Sequence, residues 1–301
     1  MMRGLRLVLG ALALCASGGA WAGLPVFCER SQEITAADQD RVLRFAGVVR
    51  RELEASGGKV ALVSRAGLDL SRFGLLYSHA AVALKDNPAS PWAVRQLYYA
   101  CDESRPRLFD QGVAGFALGA ETPASGHMSL VFLPEEDGAL LERAALDKPL
   151  ALSLLAGRYS ANAYAFGTRY QNCNQWVAEL LAGAWGGIDR SNAPRAQAQA
   201  WLRAQGYAAG PVQVPSHALM FAGQFLPLVH VNDHPVEDIH ALKLQVSVPE
   251  SIEAFVHRRA PAARRVQVCH DKERIVVRRG WEPLGAECRA APGDEVIAFG
   301  S

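Results

Sequence analysis

Residues 170–181 read YQNCNQWVAELL, and how this stretch folds decides how the rest of the chain is read. Trp176, Val177, Leu180, Leu181 and Ala184 recur at helical spacing. Asn172 is a good N-cap, and Gln175 three residues later matches the capping-box pattern. Cys173 is therefore expected to open the helix. At that end free backbone N–H groups and the positive pole of the helix dipole favour a thiolate and lower the thiol pKa. Its place three and four residues before Trp176 and Val177 turns the sulfur toward the protein. A sulfur so placed can meet a partner carried on a sheet.

The compartment bears on that sulfur. The chain begins MMRGLRLVLGALALCASGGAWAG: Arg3 and Arg6, an apolar run over residues 7–14, and the A-x-A site Ala20-Trp21-Ala22. This is the pattern of a secretory signal peptide over residues 1–22, cleaved near Ala22-Gly23. Its apolar run is too short to span a membrane. Leu14 before Cys15 argues against lipidation, so a soluble periplasmic or secreted protein is expected. Cys28, Cys101, Cys173, Cys269 and Cys288 remain, an odd number in an oxidising compartment. Cys269 and Cys288 flank the hairpin-like CHDKERIVVRRGWEPLGAEC and suit a local staple. Cys28 lies near the mature N-terminus and suits a tie to Cys101. The leftover thiol is then Cys173.

Half the residues are apolar and the net charge is +1, a globular composition with no disorder signature. So small a charge gives no electrostatic case for a nucleic-acid partner or an anionic membrane surface. The locally basic VHRRAPAARRVQV (256–268) reads as a solvated face or loop. Residues 34–56 carry helical periodicity with Thr35 as N-cap, and 59–67 a strand. FGLLYSHAAVALK (73–85) and WAVRQLYYAC (92–101), joined by DNPASP, suggest an antiparallel hairpin or meander. GHMSLVFLP (126–134) is a further strand, with two helical stretches around 137–158 and another over 192–206. After the Pro/Gly-bearing stretch 208–216 the pattern shifts to short apolar and alternating segments. The expected class is α+β, with an α+β domain over 23–215 and a smaller β-rich part over 216–301.

If LYSHAAVAL (76–84) is a strand, Tyr77, His79, Ala81 and Ala83 share one face. The two alanines leave room beside the imidazole for a helix, and His79 is the proposed partner of Cys173. An imidazole beside a thiol makes an activated nucleophile, and a third polar group generally orients the imidazole. Gln96 on the next strand is the candidate, its amide oxygen accepting from the remote ring nitrogen. Tyr77 and Tyr170 flank the two motifs and are candidates to line a substrate site, with packing roles as the alternative. His230, His234 and His240 fit no standard zinc spacing, and no metal or cofactor is expected. His127 has no partner in view. No G-x-G-x-x-G, P-loop, G-x-S-x-G or C-x-x-C occurs.

This order of motifs resembles the circularly permuted NlpC-type papain-like fold of YiiX-like proteins and lecithin:retinol acyltransferase relatives. The segments that carry the likeness are SHAAVAL and YQNCNQWVAEL, within residues 57–190. The whole mature chain is similar to the exported bacterial domain-of-unknown-function family 2145, which brings no assigned activity. The resemblance implies an antiparallel sheet packed on the nucleophile helix, with Cys173 as nucleophile, His79 as general base and Gln96 as orienting residue. The backbone N–H of Cys173 would form part of an oxyanion hole. The chain departs from YiiX-like proteins at the third position, where an acidic residue is expected. A glutamine orients a histidine but stabilises its charge less well. The implied function is an exported cysteine hydrolase or acyltransferase acting on an amide or ester, such as a cell-wall peptide or a lipid acyl group. The alternative is a non-catalytic envelope binding or scaffolding protein on the same fold.

Overall fold

The computed structural model describes residues 34–119 and 124–299. The expected signal sequence and Cys28 lie outside the described residues. Helix α1 (Ala36–Ala55) starts as expected, with the Thr35 hydroxyl accepting from the Asp38 N–H. Strands β1 (Val60–Arg65), β2 (His79–Leu84), β3 (Ala93–Ala100) and β4 (Arg105–Gln111) follow as an antiparallel meander. Next come α2 (Val113–Leu118), β5 (Gly126–Phe132), α3 (Glu135–Leu146), α4 (Lys148–Ser153), α5 (Cys173–Trp185) and α6 (Pro194–Ala204). The remainder holds β6 (Gly210–Gln213), α7 (His217–Gly223), α8 (Val236–His240), β7 (Lys243–Val246) and α9 (Pro249–Arg259). It ends with β8 (Arg264–His270), β9 (Arg274–Arg279) and β10 (Glu295–Ala298).

Eight strands form one sheet in the order β10-β9-β8-β5-β1-β2-β3-β4, every neighbouring pair antiparallel, while β6 and β7 pair separately. The boundary expected near residue 215 is crossed by this sheet: β8, β9 and β10 lie after it and are hydrogen-bonded onto β5. Nor is the last stretch wholly β-rich, since it includes α7, α8 and α9. Chain order misled because β5 keeps an open edge until residues 264–270 return to it.

Period-two alternation divides the core between two faces. Val60, Leu62, Ala80, Val82, Leu84 and Leu97 pack with α3, α5 and α9. Ala61, Val63, Ala81, Ala83 and Val94 pack with α1 and with Phe116 of α2. Helices thus cover both faces, which is why β2, HAAVAL, is buried along its whole length. The two alanines expected to receive the nucleophile helix instead admit the α1–α2 layer. Helix α5 lies on the Ala80–Val82–Leu84 face, because residues of opposite parity point to opposite faces.

One irregularity positions the site. β2 pairs with β3 only over Val82–Leu84, whereas β3 pairs with β4 over Val94–Ala100. The two strands therefore part at the beginning of β2, and the start of α5 enters the gap. The Asn174 side chain accepts from the Ala80 N–H at 2.7 Å and donates to the Ser78 carbonyl at 3.3 Å. It satisfies the backbone groups on both sides of His79 that a neighbouring strand would otherwise satisfy.

Candidate active site

Helix α5 begins at Cys173, and the Asn172 side chain caps it by accepting from the Gln175 N–H at 2.7 Å. The capping box is only half formed. The Gln175 amide does not return to residue 172 but donates to the carbonyls of Tyr164, Ala165 and Gly167. Asn172 also donates to the carbonyls of Ala161 and Ser247. The N-terminus of the helix is thereby tied to the loop before it. That loop is held from behind by buried Glu179, which pairs with Arg195 and accepts from Gln171 and Gln199. Arg195 in turn donates to the carbonyls of Thr168 and Tyr170.

The Cys173 thiol is free and buried. The thiol donates to Asn174 Oδ1 at 3.6 Å; its own N–H, the Asn174 N–H, the Tyr159 hydroxyl and the Arg65 charge all favour the thiolate. Burial outweighs all four and pushes the thiol up to about 11. The lowered pKa expected from the helix start is therefore corrected: the end of the helix supplies donors, but the sulfur is too far from water for them to prevail.

His79 opens β2, directly across from Arg65 of β1. Its Nε2 lies 2.6 Å from Gln96 Oε1, and the Gln96 amide nitrogen donates to Gln111 Oε1 at 2.8 Å. With that orientation Nε2 carries the ring proton and Nδ1 keeps its lone pair. Burial first, then the Arg65 charge, depress the imidazole to about 3 in spite of the Gln96 bond. His79 is thus a neutral base. The ring packs against Phe116 at 5.8 Å, on the face opposite the one α5 covers. Asn174, the residue after Cys173, is bonded to the backbone on either side of His79 and so ties the start of α5 to the start of β2; no hydrogen bond joins thiol to imidazole.

The other expected residues lie elsewhere. Tyr77 is buried beside Gln267, Glu253 and Arg265, its hydroxyl donating to Gln267 at 3.4 Å. Tyr170 stacks on His230 at 4.5 Å between Arg158 and Arg169. Neither touches the thiol in these contacts; the tyrosine that does is Tyr159, in the same Tyr-rich loop that leads into α5. Arg65 was equally missed, since only the β1–β2 register brings it across from His79. His230, His234 and His240 do not converge: His234 Nε2 lies 2.7 Å from the Asn162 carbonyl oxygen, while His230 stacks on Tyr170. Among the described residues, the potential metal ligands that come together are His127, Cys269 and Cys288. The two sulfurs are joined as a disulfide, which removes them as ligands. Cys101 is also disulfide-bonded, while Cys28, its expected partner, falls outside the described residues. No described helix is long and apolar enough to cross a membrane.

A family model described as an uncharacterized protein conserved in bacteria (DUF2145) matches residues 52–256. No curated protein matches the chain, and no solved structure does.

Proposed function

The chain belongs to the DUF2145 family, whose matched span holds Arg65, His79, Gln96, Tyr159 and Cys173, and from that premise we propose that it is an exported cysteine hydrolase or acyltransferase. Its fold on this reading is the permuted papain-like one, and its work lies in the cell envelope on an amide or ester. The observation that supports the proposal is a free thiol at a helix start whose neighbour, Asn174, is bonded to the backbone on either side of a neutral, amide-oriented imidazole.

The chemistry follows from the protonation states. Both groups rest neutral, so the thiol gives its proton to Nδ1 of His79 as Sγ attacks the substrate carbonyl carbon. Gln96 Oε1 holds the Nε2–H, keeping Nδ1 aimed and the tautomer fixed. On this reading the Cys173 backbone N–H at the helix start is one donor to the oxyanion. Collapse breaks the bond to the amine or alcohol, which takes the proton from His79 and leaves a thioester on Cys173. Water, or the hydroxyl or amine of an acceptor, then attacks the thioester and the thiol is restored. Tyr159 stabilises the sulfur each time it carries charge.

A second reading is favoured by one observation, the high thiol pKa: a binding module that retains the fold without turnover. Turnover of a panel of peptide amides and acyl esters decides between them. Hydrolysis that His79→Ala lowers by about 10²–10⁴-fold and Cys173→Ala abolishes, with unchanged circular dichroism, supports the enzyme. Full activity in Cys173→Ala ends that reading.

A further inference from the structure

Arg65 is a partly buried charge with little to meet it. No carboxylate among the described residues pairs with it, although buried cations are ordinarily paired. Nη1 donates to the Gly119 carbonyl, Nε is buried with no partner, and Nη2 makes no hydrogen bond among the described residues. The guanidinium lies over the Phe116 ring at 5.2 Å. Desolvation drags it down to about 10, a measure of how poorly its charge is met.

Two glycines make room for it. A Cβ on Gly119 would fall 2.6 Å from Nη2 and 2.7 Å from Cζ, and one on Gly67 would fall 2.5 Å from Nη1. Gly119 has φ −74°, which any residue adopts, so its lack of a side chain serves space rather than backbone freedom. The guanidinium thus lies close against two glycines, its Nε–Nη2 edge without a hydrogen-bond partner among the described residues, and its charge is felt by both Cys173 and His79.

We propose that Arg65 is a substrate-binding residue that receives a carboxylate next to the scissile bond, so that the substrate class is an acyl compound or peptide bearing a free carboxylate. The proposal rests on the hydrolase reading above for the word substrate; the anion site itself does not. A planar carboxylate matches the Nε–Nη2 edge with two parallel hydrogen bonds. Its negative charge would supply what the chain does not. Binding would also cancel much of the Arg65 field on His79, raising the imidazole's affinity for the proton it must take from Cys173. An acyl group that carries the carboxylate would thereby ready the base as it binds.

The test uses the full mature chain at constant ionic strength, titrated with sodium acetate or with sodium phosphate, reading the melting temperature and the rate of Cys173 alkylation by iodoacetamide. In the wild type, acetate is expected to give a saturable rise in melting temperature and a matching slowing of alkylation. Arg65→Met is expected to lose both responses while melting at a higher temperature without anion, since an unpaired cation is no longer desolvated. A merely structural arginine would do the opposite. Gly119→Ala keeps the charge but displaces the guanidinium, and is expected to weaken acetate binding by at least about tenfold. An acetate response in Arg65→Met equal to that of the wild type, or none in the wild type, overturns the proposal. A response to phosphate alone overturns the carboxylate assignment. If Cys173 resists alkylation under every condition, the hydrolase reading fails instead, and the melting temperatures still decide the anion site.

Discussion

At the scale of single residues, His79 and Cys173 are both kept neutral by the same burial. For His79 this has a consequence for stability. Its folded pKa, about 3, lies below the unfolded value of about 6.5. The unfolded chain therefore binds more protons between those values, and stability present above pH 6.5 is lost as pH falls toward 3. The contribution to the slope approaches about 1.4 kcal/mol per pH unit in the middle of that window. His79→Asn should flatten the chemical-denaturation curve over pH 4–6 relative to the wild type; an identical slope would mean that the imidazole is not held neutral. His79 and Gln96 were legible because alternation on neighbouring strands puts them on one face. Cys173 was legible from its cap. Arg65 and Tyr159 were not, since a cation at a strand end and a tyrosine in a loop carry no local signal of the tertiary register that delivers them. The sign of the thiol shift was misread because sequence displays the helix end but not the depth at which it sits.

At the scale of elements, α5 acts as a wedge that stands in for the missing end of β3 beside β2. Asn174 performs that substitution with one side chain, bonded to the peptide groups on either side of His79. Asn174→Ala leaves the buried Ala80 N–H without a partner and should cost about 1–3 kcal/mol. On the proposed hydrolase reading it should also reduce turnover, because Asn174 no longer ties the start of α5 to the backbone around His79; urea titration and steady-state kinetics read the two effects separately. The helix itself was plain from its apolar spacing, as was α1 with its Thr35 cap. By contrast β4, RPRLFDQ, is an edge strand with most residues at least partly exposed, so it shows no alternation to read. Helix α9 was hidden for another reason: Pro249 stands at its first position, directly after the β-like VSV, and reads as a break.

At the scale of the molecule, the sheet runs unbroken from β10 to β4, and its centre is built from sequence-distant strands. β5 is held between β1, which precedes the site, and β8, which follows it by nearly a hundred residues. A chain ending at residue 215 would expose the β5 edge and strip α9 from the face that α5 occupies. Such a fragment should be insoluble or molten, by size-exclusion chromatography and near-ultraviolet circular dichroism; a monomeric, cooperatively melting fragment would show that the last strands are an addition. The Cys269–Cys288 disulfide staples β8 to the loop after β9. Replacing both cysteines with serine should cost about 3 kcal/mol while leaving Cys173 alkylation unchanged, since the staple lies on the far side of β5. The sequence pointed to an α+β class and an antiparallel sheet, but a pattern of short strands after residue 217 does not say which edge they join.

The central claim is that Cys173 carries an acyl group delivered with the help of His79. It is tested most directly by exposing the mature protein to p-nitrophenyl acetate, quenching in acid, and locating the acetyl group by intact-mass and peptide mass spectrometry. One acetyl group per chain on Cys173 in the wild type, and none on that residue in His79→Ala over the same interval, is the predicted result. Equal acetylation of Cys173 in the two proteins, or none in the wild type even in mild denaturant, would contradict it.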